Sequence, residues 1–304
     1  MNNLSIIIVN WNTRSLLREC LDAIKKNQPF FAYETIVVDN ASEDDSVATI
    51  KNEYPGIRVI ENQVNYGFAA ANNQGAKAAA ATLLLFLNSD TRVHPGTLAG
   101  AVSFMKQHPE AGVMGCRTLN RNGSLQATAF AFPGKLRIFA YVSGLNRFFK
   151  LSRFTDHSTL GTPDYVQGSF LVIRKDVFEK CGGFDESFFL YAEETDLCLR
   201  VKASGLSIYY NPDISITHYG GGSGKNSLAG LGNFMESSIG LYQKYRSPRE
   251  EKKLRRALKS ALRLRLFLEL FFSPLDFFAR KKAIGTLFDA LAGADVKRIS
   301  MRWF

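Results

Sequence analysis

An apolar run that ends abruptly in polar residues constrains the fold most strongly. Residues 83–87 read LLLFL and are followed directly by Asn88, Ser89 and Asp90. A continuous apolar run of this length is typical of a strand that is buried on both faces of a parallel sheet. Open α/β sheets bind ligands beyond the carboxyl ends of such strands. The run therefore predicts an inner strand with a ligand site at its end.

The first hundred residues repeat this pattern. Strand-like runs (LSIIIVN, ETIVVDN, IRVIEN) alternate with helical patterns near residues 15–26, 44–53, 68–81 and, after Pro95 as the first helical residue, 96–107. This alternation predicts right-handed βαβ units around a mostly parallel sheet, an α/β architecture of the nucleotide-binding class.

Beyond residue 112 the alternation stops. We expect a hairpin that turns at Asn122 and Gly123, an irregular aromatic and basic segment over residues 133–162, and a strand that enters a short helix in YVQGSFLVIRKDVF. A helix over residues 194–203 and two short strands in SIYYNPDISITH complete this half.

Composition indicates an ordinary globular protein. The chain has 304 residues, 46% of them hydrophobic, which is enough for one large or two medium domains. The four cysteines, at positions 20, 116, 181 and 198, form no C-x-x-C or His-paired metal spacing, which favours a reducing, cytosolic setting. The first residues carry no basic leader and only a short apolar run, so we expect neither a signal peptide nor a membrane span there.

The positive charge is concentrated at the C-terminus. Residues 246–304 hold 15 basic and 6 acidic residues, whereas the preceding 245 residues are nearly neutral. One helical stripe there is apolar (Leu254, Ala257, Leu258, Ala261, Leu262), and a second apolar segment with basic flanks covers residues 274–292. This pattern predicts basic amphipathic helices that lie on an anionic membrane surface without spanning it.

Two other interpretations of this tail stay open. It could form a helical subdomain or dimer contact whose apolar stripe is buried against protein. A nucleic-acid arm would usually be polar and extended, whereas apolar and aromatic residues interleave with the charges here. We therefore expect no nucleic-acid partner.

Carboxylates follow several of the strand-like runs. They occur at Asp39, at Asp90, in GGFDE at residues 182–186 and in EETD at residues 193–196. Divalent cations and ribose hydroxyls are partners that would hold carboxylates at such an edge. Each carboxylate also has a simpler explanation. Asp90 could be only a turn and helix-capping residue, Asp39 could form an Asx turn, and EETD could favour a helix N-terminus.

Five segments occur in the order and spacing of a known family: SIIIVNWN, VVDNASEDDS, NYGFAAANNQG, LLLFLNSDTRV and QGSFLVIRKDVFEKCGGFDESFFLYAEETDLCLRVKASG. Over residues 4 to about 222 the sequence resembles the family 2 glycosyltransferases. It looks most similar to the rhamnosyltransferase-like branch of bacterial surface polysaccharide (O-antigen) synthesis. The resemblance implies a GT-A type α/β fold with a mostly parallel central sheet, followed by a C-terminal amphipathic helical extension.

The resemblance also implies roles for individual residues. The donor site would comprise Val9, Trp11, Asp39, Asn65, Gly67, Asn72, Asn88, Ser89 and Asp90, with Asn73 beside them. Asp90 and His218 would hold a divalent metal, Mg or Mn. Asn88 stands where the family motif has its first acidic residue, which puts metal affinity in question. His218 could instead be only a hydrogen-bonded polar residue.

The last of the five segments would supply the residues for catalysis and acceptor binding. Glu194, beside Glu193, matches the position of the family's catalytic base, although the family has Asp there. Gly168, Asp185 and Glu186 would lie on the acceptor side. The glycine-rich GGGSGKN after His218 departs from a Walker phosphate loop at both ends, so it is either a mobile loop over the substrates or a plain connector.

The resemblance leads to one expected function and one alternative. We expect an inverting transferase that moves a sugar, with dTDP-rhamnose as the leading donor, to a saccharide acceptor that is lipid-linked, at the inner face of the cell membrane. Residues 1–245 would be the catalytic domain, with 1–110 binding the nucleotide and 111–245 the acceptor, and 246–304 would be the tail. The alternative is a catalytically degenerate nucleotide-sugar-binding protein.

Overall fold

The computed structural model describes residues 3–145, 157–220 and 228–272 and positions 284, 285 and 287. The strands within them are β1 (Leu4–Asn10), β2 (Tyr33–Asp39), β3 (Arg58–Glu61), β4 (Leu83–Asn88), β5 (Thr91–Val93), β6 (Ala111–Leu119), β7 (Leu125–Gln126), β8 (Ala129–Phe130), β9 (Tyr165–Val166), β10 (Phe170–Arg174) and β11 (Ser207–His218). The helices are α1 (Arg14–Lys26), α2 (Ser46–Glu53), α3 (Phe68–Ala78), α4 (Thr97–Gln107), α5 (Lys135–Ser143), α6 (Lys175–Lys180), α7 (Glu193–Ala203), α8 (Leu228–Tyr245) and α9 (Pro248–Phe272).

The central sheet has the order β3-β2-β1-β4-β10-β6-β11-β5, and β7 pairs with β6 at its side. The first four strands in this order are parallel, as the βαβ pattern predicts. The LLLFL run forms β4, an inner strand between β1 and β10 whose apolar side chains are all buried. The prediction of an inner strand is confirmed.

Helices cover both faces of this sheet, so the core has two layers. Along β1, Ile6 and Ile8 pack into one layer with residues of α1 and α4, and Ile7 packs into the other with residues of α3 and α7. Alternate side chains of a strand point to opposite faces, and both faces are apolar here. The sheet, which is mostly parallel but contains the antiparallel strand β10, is therefore covered on both faces.

The register of the parallel strands brings their carboxyl ends together. Asn10 lies opposite Asp39, Val9 lies opposite Asn88, and Asp39 also lies opposite Glu61. Polar side chains from four successive strands therefore meet at one edge, as the sequence predicts for a ligand site.

The second half of the sheet matches the sequence predictions in part. The hairpin of β6 and β7 turns at Gly123, which has a φ of +79° that favours glycine. The two short strands expected in SIYYNPDISITH are instead one strand, β11, with a register shift between Asn211 and Ser215. Pro212 has no backbone N–H for the ladder, so the strand bulges there without ending. The helix expected from Pro95 begins at Thr97, after Gly96.

The chain forms two compact units. The first draws its residues from Met1–Phe132, Phe154–Phe189 and Glu193–Gly222, and the second from Pro133–Arg153, Leu190–Ala192 and Ser223–Phe304. The predicted boundary between residues 245 and 246 stays a prediction. The expectation of an irregular segment over 133–162 is wrong for Lys135–Ser143, which form α5.

In the second unit, α9 packs against α5 and α8. Its apolar stripe is buried there, since Leu254, Leu258, Ala261 and Leu262 have no exposed surface. The burial of the stripe agrees with the alternative interpretation of the tail as a helical subdomain whose apolar stripe packs against protein. Any contact of α9 with a membrane would therefore have to use other residues. The segment 274–292 lies outside the described residues except for positions 284, 285 and 287. Residues 221–226 of the segment GGGSGKN also lie outside them. Among the described helices, none is long and apolar enough to cross a membrane.

Candidate active site

A hydrogen-bonded network joins the ends of β1 and β2. The buried Asn10 amide donates to Asp39 Oδ2 at 2.8 Å and to Ser42 Oγ at 3.0 Å. The backbone N–H of Ser42, three residues on, donates to Asp39 Oδ1 at 2.8 Å, so Asp39 holds the turn after β2 and also binds across the strands. This bond is one residue longer than that of the expected Asx turn, which binds the N–H two residues on. Asp39 is 2% exposed, so its carboxylate is held in one orientation at the sheet edge.

The network continues to the polar residues after β4. Thr13 Oγ1 donates to Asn10 Oδ1 at 2.6 Å and lies 2.8 Å from Ser89 Oγ. Sequence reasoning missed Asn10 and Thr13, although Asn10 ends an apolar run as Asn88 does. Val9 is half-buried beside them, and Trp11 is exposed in the loop after β1. The structure thus places these predicted donor residues along one edge.

The turn before α3 lies close to the segment that leads to α7. Asn65 Oδ1 accepts from the backbone N–H of Gly67, and Asn40 Nδ2 donates to the Gly67 carbonyl. Gly67 has a φ of +85°, and a Cβ there would lie 2.7 Å from both the ring and the carbonyl oxygen of Phe189. The backbone N–H of Phe68 donates to that same carbonyl. Only glycine allows this approach.

Asn72 and Asn73 have different roles. Asn72 is 1% exposed and its amide donates back to the Phe68 carbonyl within α3. Asn73 instead donates to the Phe184 carbonyl and to Glu186 Oε1, and its Oδ1 accepts from the Phe184 backbone N–H. The expected acceptor residue Glu186 is therefore bound to α3.

The other expected acceptor residues lie on adjoining turns. Asp185 Oδ1 accepts from the backbone N–H of Ser187, which forms an Asx turn. Gly168 precedes Ser169, whose carbonyl accepts from the backbone N–H of Asn88 at 3.3 Å. Ser169 is buried, and its Oγ has no hydrogen-bond partner among the described residues. A ligand hydroxyl or a water would satisfy it.

Asp90 and His218 come together across 128 residues of sequence. Asp90 lies in the turn between β4 and β5, as the simpler explanation predicts, but it precedes a strand and caps no helix. His218 Nε2 lies 3.1 Å from Asp90 Oδ1 and 3.4 Å from Asn88 Nδ2, and both Asp90 and His218 are more than nine-tenths buried. Neighbouring ligands of an octahedral Mg²⁺ about 2.1 Å from the ion lie about 3 Å apart. The pair therefore fits two positions of such an ion.

Protein ligands alone would not complete the coordination shell. No group of three or more His, Cys, Asp or Glu side chains with metal-binding geometry occurs in the described part of the chain. Mg²⁺ typically uses one or two protein ligands and takes the rest from waters and phosphate oxygens. The donor set thus suits a cation that binds together with a diphosphate.

The two glutamates begin α7. Glu193 is 4% exposed and Glu194 is half-buried. Burial, and secondly the neighbouring Glu194 carboxylate, raise the pKa of Glu193 well above its usual value, and a hydrogen bond between the two carboxyl groups acts in the same direction. A proton on Glu193 would let this carboxyl group donate to the carboxylate of Glu194. Tyr191 and Ala192, just before α7, have φ of +70° and +73°, which indicates local strain beside these carboxyl groups.

Comparison with known proteins identifies the family. The profile described as Glycosyl transferase family 2 matches residues 5–182, more than half of the chain. The chain belongs to glycosyl transferase family 2. Similar proteins with curated names include "O-antigen biosynthesis protein RfbC" of Myxococcus xanthus, which is 27% identical over 226 residues, with 71% of this chain and 17% of that protein covered.

Two further relatives carry rhamnosyltransferase names. "N-acetylglucosaminyl-diphospho-decaprenol L-rhamnosyltransferase" of Mycobacterium tuberculosis is 25% identical over 202 residues, covering 60% of this chain and 66% of that protein. "Rhamnosyltransferase WbbL" of Escherichia coli is 27% identical over 223 residues, covering 70% and 82%. The chain thus spans less than two thirds of the length of RfbC and of the mycobacterial relative.

Solved structures confirm the GT-A glycosyltransferase fold. "Mannosyltransferase PcManGT from Pyrobaculum calidifontis in complex with GDP-Man and Mn2+" superimposes with a TM-score of 0.59 at 17% identity, covering 98% of this chain and 83% of that one. "GalNAc-T7 with UDP, GalNAc and Mn2+" superimposes with a TM-score of 0.57 at 15% identity, covering 85% and 55%. At these identities the likeness concerns the fold alone.

Proposed function

We propose that this chain is an inverting glycosyltransferase that moves a sugar from a nucleoside diphosphate to a saccharide acceptor. One observation carries the proposal: in a family 2 chain, Asp39 and the Asp90–His218 pair all lie at the carboxyl edge of the sheet. Carboxylates held at this edge suit a ribose and a metal-bound diphosphate.

The donor would bind along the network at the sheet edge. Asp39, oriented by Asn10 and Ser42, would accept hydrogen bonds from the nucleoside. Asp90 and His218 would hold Mg²⁺ or Mn²⁺, which neutralises charge on the departing diphosphate when it is bound. Two of the structural neighbours were solved with Mn²⁺, which supports this assignment.

Glu194 would act as the general base. The acceptor hydroxyl must lose its proton as it attacks the anomeric carbon from the face opposite the leaving diphosphate, and this direct displacement inverts that carbon. General-base assistance contributes roughly 10² to 10⁴ in rate. Glu193, whose pKa is raised by burial, would orient Glu194 by its hydrogen bond, so that the more exposed carboxylate is the one that takes the proton.

The names of the relatives support a finer assignment of the substrates. Two of them are rhamnosyltransferases, and one is named for a diphospho-decaprenol acceptor. On this basis we infer a deoxythymidine-diphosphate rhamnose donor and a lipid-linked saccharide acceptor. An acceptor of this kind would be reached at the inner face of the cell membrane.

Helix α9 offers a surface for that location. Five basic residues spaced three or four apart form its outer face, which we call the basic face: Arg249, Lys252, Arg256, Lys259 and Arg263. They extend over about 21 Å of helix. The carboxylates near the start of α9 are engaged elsewhere, since Glu250 pairs with Lys135 and Glu251 with Arg255. A row of cations without intervening carboxylates suits anionic lipid headgroups.

Nucleotide-dependent stabilisation tests the donor site. Thermal unfolding is measured with uridine, deoxythymidine and guanosine diphosphates, with and without Mg²⁺ or Mn²⁺. Ligand at a hundred times its Kd should add about 2.7 kcal/mol. A metal-dependent shift for one base, lost in Asp90→Ala, is the expected result. No shift with any nucleotide would contradict the proposal.

Glu194→Gln separates transfer from binding. We expect it to keep the nucleotide-induced shift and to lose transfer by at least about a hundredfold. Glu179→Gln, an exposed glutamate elsewhere in the first unit, is the matched control. Retained turnover in Glu194→Gln would remove Glu194 from the mechanism. Donor binding without transfer in the unaltered protein would favour the degenerate binding protein instead.

A further inference from the structure

Gln126 lies beside the candidate metal pair and has no part in the roles assigned above. Its Oε1 lies 2.9 Å from His218 Nδ1, on the side of the imidazole away from Asp90. The contact is part-buried, and Gln126 itself is half-buried on the two-residue strand β7. A short strand at the side of a sheet is thus used to support a buried histidine.

Strand pairing determines this contact. Gln126 pairs with Thr118 of β6, Thr118 pairs with Ile216 of β11, and His218 pairs with Thr91 of β5, the residue after Asp90. The hairpin of β6 and β7 is therefore required to bring Gln126 to His218. A change of register by one residue would point the amide to the other face.

The hairpin also holds the residue that follows His218. The guanidinium of Arg121, in the turn of the hairpin, lies 5.5 Å from the ring centre of Tyr219. The backbone N–H of Tyr219 in turn donates to the Asp90 carbonyl at 2.9 Å. The hairpin, the histidine and the aspartate thus form one connected structure.

The chemistry of the amide determines what it does to the histidine. A side-chain carbonyl oxygen only accepts hydrogen bonds, so it binds the imidazole tautomer with the hydrogen on Nδ1. The lone pair of Nε2 then faces Asp90 Oδ1 across 3.1 Å. Two lone pairs at this distance repel each other unless a proton or a metal cation lies between them. Histidine ligands of metals usually donate their second N–H to such a partner.

We propose that Gln126 is a positioning residue for the divalent cation, which it favours by holding His218 with Nε2 directed at the metal position. The inference rests on the proposed function, because it needs the cation that accompanies the donor diphosphate. It assigns a purpose to the β6–β7 hairpin, whose sequence contains no metal-binding motif.

Mn²⁺ affinity measured by electron paramagnetic resonance tests this role without any turnover. Free Mn²⁺ is titrated against the full chain in the presence of the nucleoside diphosphate that gives the largest thermal shift. We expect Gln126→Ala to weaken Mn²⁺ binding by roughly 10- to 100-fold. Gln126→Glu keeps an acceptor at this position and should bind at least as tightly as the unaltered protein. Gln107→Ala, an exposed glutamine on α4, should have no effect.

Different outcomes overturn different claims. If the unaltered protein and Asp90→Ala bind Mn²⁺ equally weakly, the metal site of the proposed function fails, and Gln126 loses its role with it. If Asp90→Ala and His218→Ala lose Mn²⁺ while Gln126→Ala keeps full affinity, the role of Gln126 alone is overturned. Thermal unfolding without Mn²⁺ and nucleotide identifies a folding defect. If Gln126→Ala does not fold, Gln126→Glu is the test of the proposal. Weakened Mn²⁺ binding by a folded Gln126→Glu variant would contradict it.

Discussion

The side-chain amide of Asn73 binds both backbone polar groups of Phe184, 111 residues later in the chain. The Asn73 amide donates to the Phe184 carbonyl at 2.9 Å, and its oxygen accepts from the Phe184 N–H at 2.9 Å. A third bond joins Asn73 to Glu186. One asparagine of α3 thereby fixes the chain that leads towards Glu193 and Glu194.

Replacing Asn73 should loosen this segment. Each of the three bonds contributes roughly 1 kcal/mol net, and Asn73→Ala also leaves backbone groups of Phe184 unpaired. We expect a loss of about 2 to 4 kcal/mol in the free energy of unfolding, measured by urea denaturation. Asn120→Ala, which removes an exposed hairpin bond to Ser124, is the control and should cost less than about 1 kcal/mol. Equal losses in the two variants would contradict the role of Asn73.

Alanine substitutions at two glycines with similar backbone conformations distinguish the cost of backbone strain from the cost of steric overlap. Gly67 and Gly123 have φ of +85° and +79°, but only at Gly67 would a Cβ meet other atoms, those of Phe189. Gly123→Ala should cost about 1 kcal/mol from the left-handed conformation alone. Gly67→Ala adds overlap and should cost about 3 kcal/mol in total. Urea denaturation measures both, and a Gly67→Ala loss no larger than that of Gly123→Ala would show that Phe189 does not constrain the turn.

The stability of the protein should depend on pH through Glu193. Its folded-state pKa lies above the unfolded value near 4.5, because burial and Glu194 disfavour its charged form. The folded state therefore binds this proton more tightly, and the resulting stability is present below the unfolded pKa and lost as the pH rises through the folded pKa. Glu193→Gln carries no such proton.

Urea denaturation between about pH 5 and pH 8 measures this effect. The stability of Glu193→Gln relative to the unaltered protein should increase steadily with pH over that range. Glu179→Gln, at an exposed position, should run parallel to the unaltered protein. A constant difference between Glu193→Gln and the unaltered protein would mean that Glu193 is already ionised in the folded state.

The basic face of α9 should carry any binding to anionic lipid. Attraction to such a surface is about 1 kcal/mol per basic residue. Reversing Lys252, Arg256 and Lys259 to Glu should therefore weaken binding to equimolar phosphatidylglycerol and phosphatidylcholine vesicles more than a hundredfold in a sedimentation assay.

The control variant changes the net charge by the same amount but at positions outside the basic face. Reversing Lys25, Lys77 and Lys106, which are exposed on other helices, keeps the basic face intact. Equal losses in the two triple variants would indicate that net charge, not the face, attracts the protein. Unchanged binding of the α9 variant would refute the membrane assignment.

Much of the first unit can be predicted from the sequence because its signals are local. The apolar run at 83–87 is an inner strand, and Asn88, Ser89 and Asp90 follow it at the sheet edge. The helices α1, α3 and α7 begin within one residue of their expected positions. Periodicity and strand-end residues depend on near neighbours, so they can be found without knowing which strands pair.

Residues without such a local signal were missed. Asn10, Thr13 and Gln126 belong to no recognised motif, and each acquires its partner through strand pairing or loop packing. The strand β11 was expected as two strands because Pro212 interrupts the pattern, whereas its neighbours β6 and β5 hold it as one.

The sequence by itself determined the fold class, the family and the acidic residues at the strand ends, because these follow from periodicity and motif order along the chain. Only the tertiary structure decided that Asn73, not Asn72, reaches Phe184, that Gln126 supports His218, and that the apolar stripe of α9 is buried against protein. A helical stripe shows that one face avoids water but not what covers it. Partners far apart in sequence are set by strand order and register, which no local pattern contains.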